Sequence, residues 1–172
     1  MAVAKQILNL LCAQVLDTHV RLQAIYRAII ALQRTNAVAR RLSTIPGISP
    51  VGATALATSV ADPGQFRSGR EFAAWLGLTP SQNSSGGKDR LGRITKMGDR
   101  YLRKLLVIGA TSLVRRAKYK PESADPHLLA LLARKPARVA SVAMANKTAR
   151  VVWAVMARGE VYQTRHTPSL AA

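Results

Sequence analysis

The chain has 172 residues, enough for one ordinary core, or for one compact domain carrying an extended arm. Its 26 Lys and Arg stand against 8 Asp and Glu, a formal charge of +18, and self-repulsion on that scale points to a polyanionic partner, nucleic acid first. The single cysteine, Cys12, excludes an internal disulfide and a Cys-rich zinc site, and no apolar run reaches the ~18 residues of a membrane span.

The first forty residues contain neither Gly nor Pro. Leu8, Val15, Leu22 and Ile29 fall at the a positions of a heptad, and Leu11, Thr18, Ile25 and Leu32 at the d positions. This predicts a long helix over 1–42, either a coiled-coil arm or one amphipathic helix lying on its own domain. The stretch LNLLCAQVL is broken by Gln14 and Asp17 and does not read as a signal peptide, so an intracellular location is expected.

RRLSTIPGISPVGATALATSV follows. A helix stops near Leu42, IPGI makes a tight turn, and helical composition resumes at Pro50. This pattern fits a helix-hairpin-helix, in which backbone N–H groups around Gly47, Ile48 and Ser49 would meet a phosphate. Ser49 stands where the usual hairpin has a second glycine, and an ordinary turn with Pro at the first helical position fits as well. ADPGQF reads as a turn and SGREFAAWLGL as a short helix with Phe72, Trp75 and Leu76 inward.

TPSQNSSGGKDRLG is a loop or β-hairpin. A buried helix is expected from Asp99 to Lys118, using Tyr101, Leu102, Leu105, Leu106, Ile108, Gly109 and Leu113. KYKPESADPH reads as a solvated connector, two further helices part near Pro136, and a disordered tail is expected over 163–172. The fold class is mainly α.

SSGGK combines hydroxyls, yielding backbone and a cation, the ingredients of a phosphate-binding loop, although such a stretch also serves as a flexible linker. The order required by a Walker motif and the G-x-S-x-G of a hydrolase elbow are both absent. Lys88, Arg90, Arg93, Lys96, Arg100, Arg103 and Lys104 follow, interrupted only by Asp89 and Asp99. With Gly86 and Gly87, the first six of these cations are the candidate DNA contacts.

From RRLSTIPGISPVGATALATSVADPGQF through REFAAWLGLTPSQNSSGGKDRLGRITKMGDRYLRKLL, the chain resembles the C-terminal transposase domain of the one-ten/eleven-eleven group of bacterial insertion sequences. These are DEDD-type, bridge-RNA-guided recombinases, and the resemblance implies a cytoplasmic, nucleoid-associated place in a bacterium. KPARVASVAMANKTARVVWAVMARGEVY resembles the end of the eleven-eleven branch.

The resemblance implies a DNA-binding domain over 43–162, next to a coiled-coil arm, that cuts and rejoins DNA through a covalent phosphoserine. The family's serine directly precedes a glycine, a few residues after the L-x-P that ends W-L-G-L. Counting from Leu78-Thr79-Pro80 gives Ser85, with Ser84 as the near alternative.

The family holds Mg2+ on four carboxylates of an N-terminal RuvC-like domain, and the eight carboxylates here are too scattered to rebuild that site. The expectation is therefore a truncated transposase that binds no cofactor itself and needs a RuvC-like domain in trans. Its partners would be DNA, a guide RNA, and a second copy or a full-length transposase, with no membrane. A non-catalytic basic nucleic-acid-binding module is the alternative.

Overall fold

The computed structural model describes residues 2–82 and 91–163. Seven α-helices and one two-stranded hairpin form among the described residues, in agreement with the mainly α expectation.

Helix α1 (Ala2–Thr35) runs 34 residues, about 51 Å at 1.5 Å per residue, and buries none of them. Its seam residues Leu8, Leu11, Val15, Leu22 and Ile25 all face solvent. The helix stops at Asn36, whose backbone is extended and whose side chain accepts a 2.9 Å bond from the N–H of Ala39. That bond caps α2 (Ala37–Leu42) and starts it in a new direction, because Asn competes for backbone donors outside a helix. The stretch drawn from sequence as one arm to residue 42 is thus two helices. Ala39 and Leu42 of the second are fully buried in the core.

The turn after α2 has Pro46 and Gly47 at its centre, Gly47 at φ +86°, and the N–H of Ile48 bonded to the carbonyl of Ile45 at 3.1 Å. This is a type II turn, which places Pro and Gly where their backbones are least strained. Ser49 caps α3 (Pro50–Ser59), and Pro50 begins it. Asp62 caps a single 3-10 turn (Pro63–Gln65), and Ser68 caps α4 (Gly69–Trp75). Phe66, Phe72 and Trp75 cluster with ring centroids 5.1 to 5.7 Å apart. Phe72 and Leu76 are fully buried as expected, whereas Trp75 keeps one edge in solvent while stacking on Phe72.

Strands β1 (Pro80–Gln82) and β2 (Leu91–Ile94) pair antiparallel, Pro80 opposite Ile94 and Gln82 opposite Leu91, with an irregular register between. Helix α5 (Arg100–Tyr119) starts at Asp99, whose Oδ1 accepts from the N–H groups of Tyr101 and Leu102. Its buried line is Leu102, Leu106, Ala110, Val114 and Ala117. Tyr101 and Ile108, expected in the core, project outward, because helical periodicity buries one stripe and leaves the other apolar positions exposed. After a 3-10 turn (Pro121–Ser123) come α6 (Pro126–Arg134) and α7 (Ala137–Arg158), which Gly159 ends in the left-handed region. Helices α5 and α7 pack most extensively against each other and form the centre of the core.

Candidate nucleic-acid interface

The β1–β2 hairpin is fixed from below by two crossing segments, Trp75–Leu78 and Lys96–Asp99. A Cβ on Gly98 would collide with the carbonyl oxygen of Trp75, and one on Gly77 with the carbonyl oxygen of Met97. Both glycines also have positive φ, +69° at Gly77 and +98° at Gly98, so only glycine allows this backbone-to-backbone approach. Three further bonds hold the clasp. The N–H of Lys96 donates to Gly77 O (3.2 Å), that of Thr95 to Thr79 O (2.9 Å), and Arg103 Nη1 to Leu76 O (2.9 Å). Asn146 of α7 adds a fourth from the core side, its Nδ2 donating to Leu78 O at 3.2 Å. Higher up, Ser81 Oγ donates to Arg93 O at 3.1 Å and ties one strand to the other.

Arg93 lies on β2, Lys96 on the turn after it, and Arg100 at the first position of α5; all three are exposed. Lys96 has φ +57°, an uncommon conformation for a residue with a side chain, held here by the clasp. Among the described residues none of the three pairs with a carboxylate. Arg103 stands apart. It is half-buried and spends one guanidinium donor on the α4 terminus, which makes it a strut of the clasp. Ser84, Ser85, Gly86, Gly87, Lys88 and Arg90 lie between the two strands in sequence and outside the described residues.

The Gly47 turn sits elsewhere, against α5. A Cβ on Gly47 would come within 3.0 Å of Leu113 Cδ1 and 3.2 Å of Gly109 O, and one on Gly109 would strike Gly47 O. The N–H of Ile48 is bonded within the turn, and Ser49 Oγ accepts from Gly52 N at 3.2 Å. These groups therefore serve the fold at the positions singled out for phosphate.

Among the described residues no group of three or more His, Cys, Asp or Glu could hold a metal ion, and the donor set does not fit Mg2+. No helix among them is long and apolar enough to cross a membrane.

Sequence reasoning missed the clasp, the inward turn of Arg103, and two α7 side chains, one bonded to the clasp and one to the 3-10 turn before α4. Those are Asn146 and Trp153, whose Nε1 donates to Pro63 O at 3.2 Å. The available signal was one glycine in each of WLGL and KMGD, which says nothing by itself about their meeting.

A family model described as the IS116/IS110/IS902 transposase family matches residues 39–127, from α2 through the hairpin and α5 to the start of α6. The chain belongs to this transposase family. It is 48% identical over 143 residues to a Pseudomonas aeruginosa protein named "Probable family 20 transposase", covering 83% of this chain and 42% of that protein. To the transposase for insertion sequence element IS1111A of Coxiella burnetii it is 36% identical over 159 residues, 92% of this chain and 44% of the relative. To that for IS1328 of Yersinia enterocolitica it is 41% identical over 124 residues, 72% and 37% respectively. The chain thus spans about two-fifths of the length of these relatives. Within the family match, the serine-glycine stretch falls between β1 and β2 in sequence.

Proposed function

We propose that this chain supplies the DNA-binding and serine-bearing part of an insertion-sequence transposase, with Ser85 as the nucleophile and Ser84 as its near alternative. The family match over residues 39–127, a span that includes both strands and the serine-glycine stretch between them, carries this reading. The exposed cations Arg93, Lys96 and Arg100 support it, since a phosphodiester approaching the loop needs its charge neutralised.

In the reaction, serine Oγ attacks phosphorus and forms a Ser–O–P bond while one P–O ester bond breaks. The departing deoxyribose oxygen takes up a proton, and the serine proton leaves to a base. Attack by an incoming deoxyribose hydroxyl reverses the step and rejoins the strand. Gly86 and Gly87 follow Ser85 in sequence, and residues without side chains suit the close approach of a phosphate that this step requires.

The carboxylates of a RuvC-like domain would come from outside these residues, and no metal step is assigned to this chain. Helix α1, with its seam uncovered, would join copies of the chain or a full-length transposase.

The test supplies the chain with a partner that carries the RuvC-like domain but lacks its own serine, together with element ends, guide RNA and Mg2+. A covalent protein–DNA adduct is expected. Ser85→Ala removes it and changes DNA affinity by less than about 2-fold, because one neutral hydroxyl adds little to an electrostatic interface. Loss with Ser84→Ala alone moves the nucleophile by one residue. Absence of any adduct leaves the non-catalytic binding module.

A further inference from the structure

Helix α5 contains no acidic residue, and its solvent side is not uniform. At 100° per residue, Arg100, Lys104, Thr111, Arg115 and Lys118 fall within a sector of about 60°, on one flank of the buried line. All five are exposed. Arg100 and Lys118 are separated by 18 helical steps, about 27 Å along a rigid axis. Near the far end, α5 and the start of α7 border a groove of about 400 Å³, lined by Val107, Thr111, Arg115, Lys118, Arg138 and Ser141 among others. Arg138 faces α5's cations across it and is itself exposed.

No carboxylate among the described residues pairs with these cations. The nearest acids in sequence are engaged otherwise, Asp99 in capping α5 and Asp125 with Lys147 at 2.7 Å, apart from the exposed Glu122. The hydroxyls lining the groove are satisfied by their own helices, Thr111 by Val107 O and Ser141 by Ala137 O, so the surface offers cations rather than a pocket of directed donors.

We infer that Arg115, Lys118 and Arg138 form a second phosphate contact on this chain, and that the α5 stripe lays duplex DNA along the helix from the hairpin to the groove. The inference rests on the DNA-binding reading above and extends it to residues that reading does not use. Length and stiffness favour a duplex. A straight track of about 27 Å spans roughly eight base-pair steps at 3.4 Å of rise each, and its cations meet phosphates where the two backbones cross that line. A double helix stays straight over that span, whereas a single strand bends away from a rigid line. Contacts of this kind hold the backbone and carry no sequence preference, so the stripe would orient DNA relative to the loop and leave site choice to other groups.

The experiment measures binding of the full chain to a 20-base-pair duplex, by fluorescence anisotropy across a salt series. Arg115→Ala/Lys118→Ala/Arg138→Ala should lower the log–log salt slope by about two to three units, near one for each phosphate that is no longer neutralised. Arg93→Ala/Lys96→Ala should lower it separately, and the two effects should add, because the groups lie at opposite ends of α5. All five side chains are exposed, so an unchanged melting curve verifies folding in each variant.

A slope unaffected by the groove substitutions, with the hairpin substitutions still effective, overturns the inference and leaves the DNA-binding reading standing. No measurable duplex binding by the unaltered chain overturns both. An equal reduction of slope on a 20-nucleotide single-stranded RNA overturns the assignment to duplex DNA.

Discussion

Helices α1 and α7 are both free of glycine and proline, and both are rich in aliphatic side chains, yet they behave in opposite ways. Helix α1 buries none of its 34 residues; α7 buries nine of its 22. On α7 the buried positions Ala140, Ser141, Met144, Ala145, Thr148, Ala149, Val152, Val155 and Met156 follow a 3–4 spacing and face α5 and α4. On α1 apolar residues spill beyond the heptad seam, with Val3, Leu10, Leu16 and Val20 all more than 60% exposed. Apolar content thus makes a helix in both cases, but only a facing element turns it into stability. Within a single copy, α7 draws its stability from packing, and α1 rests on local propensity beyond its last turns.

The contrast breaks most visibly in the core. Phe72→Ala removes a fully buried ring and should cost about 3–5 kcal/mol in denaturant unfolding, while Leu22→Ala should cost under about 0.5 kcal/mol in the monomer. Equal costs would mean that α1 is packed in solution.

Gly98→Ala comes next, at about 2–3 kcal/mol, since the added methyl meets the Trp75 carbonyl at a positive φ. Hydrogen exchange should show the weakened protection concentrated at residues 75–80 and 94–100, and a uniform change would contradict the clasp.

Leu22→Asp/Ile25→Asp should leave the core transition within about 0.5 kcal/mol while abolishing concentration-dependent association in sedimentation. Unfolding of the whole chain would place α1 in the core.

The smallest effect concerns Asp125. Burial opposes its ionisation, but the Lys147 ammonium and the His127 N–H outweigh that and hold its carboxyl below the usual aspartate range. A depressed folded pKa contributes stability above the unfolded pKa, which is lost as pH falls through the folded value. Asn at this position can still cap α6, so Asp125→Asn should be slightly less stable at neutral pH and indistinguishable from the parent in acid. A gap that widens in acid would reverse the assigned sign.

Much of the fold was legible because its punctuation is local. Pro and Gly mark the turns at 46–47 and 63–64, Pro136 parts α6 from α7, and Ser49, Ser68, Asp99 and Asp125 cap α3, α4, α5 and α6. The break at Asn36 was harder to see, since Asn is tolerated inside helices and nothing nearby signals a change of direction.

The serine-glycine loop and its cations stood out as neighbours in sequence. The clasp beneath them did not, because Gly77 and Gly98 meet across twenty residues, and the inward turn of Arg103 depends on where the end of α4 lies. Reading Lys88 to Lys104 as one basic run also hid the α5 stripe, whose members are spaced along a helix and completed by Arg138 from another.

Ser85 is the proposed nucleophile toward a DNA phosphodiester, with Ser84 beside it. The most direct test digests the covalent adduct formed with the complementing partner and locates the attached nucleotide by tandem mass spectrometry. A nucleotide phosphate is expected on the peptide containing Ser84 and Ser85, with fragment ions placing it on Ser85. A nucleotide carried by any residue outside that pair, or found only on the partner's own peptides, would contradict it.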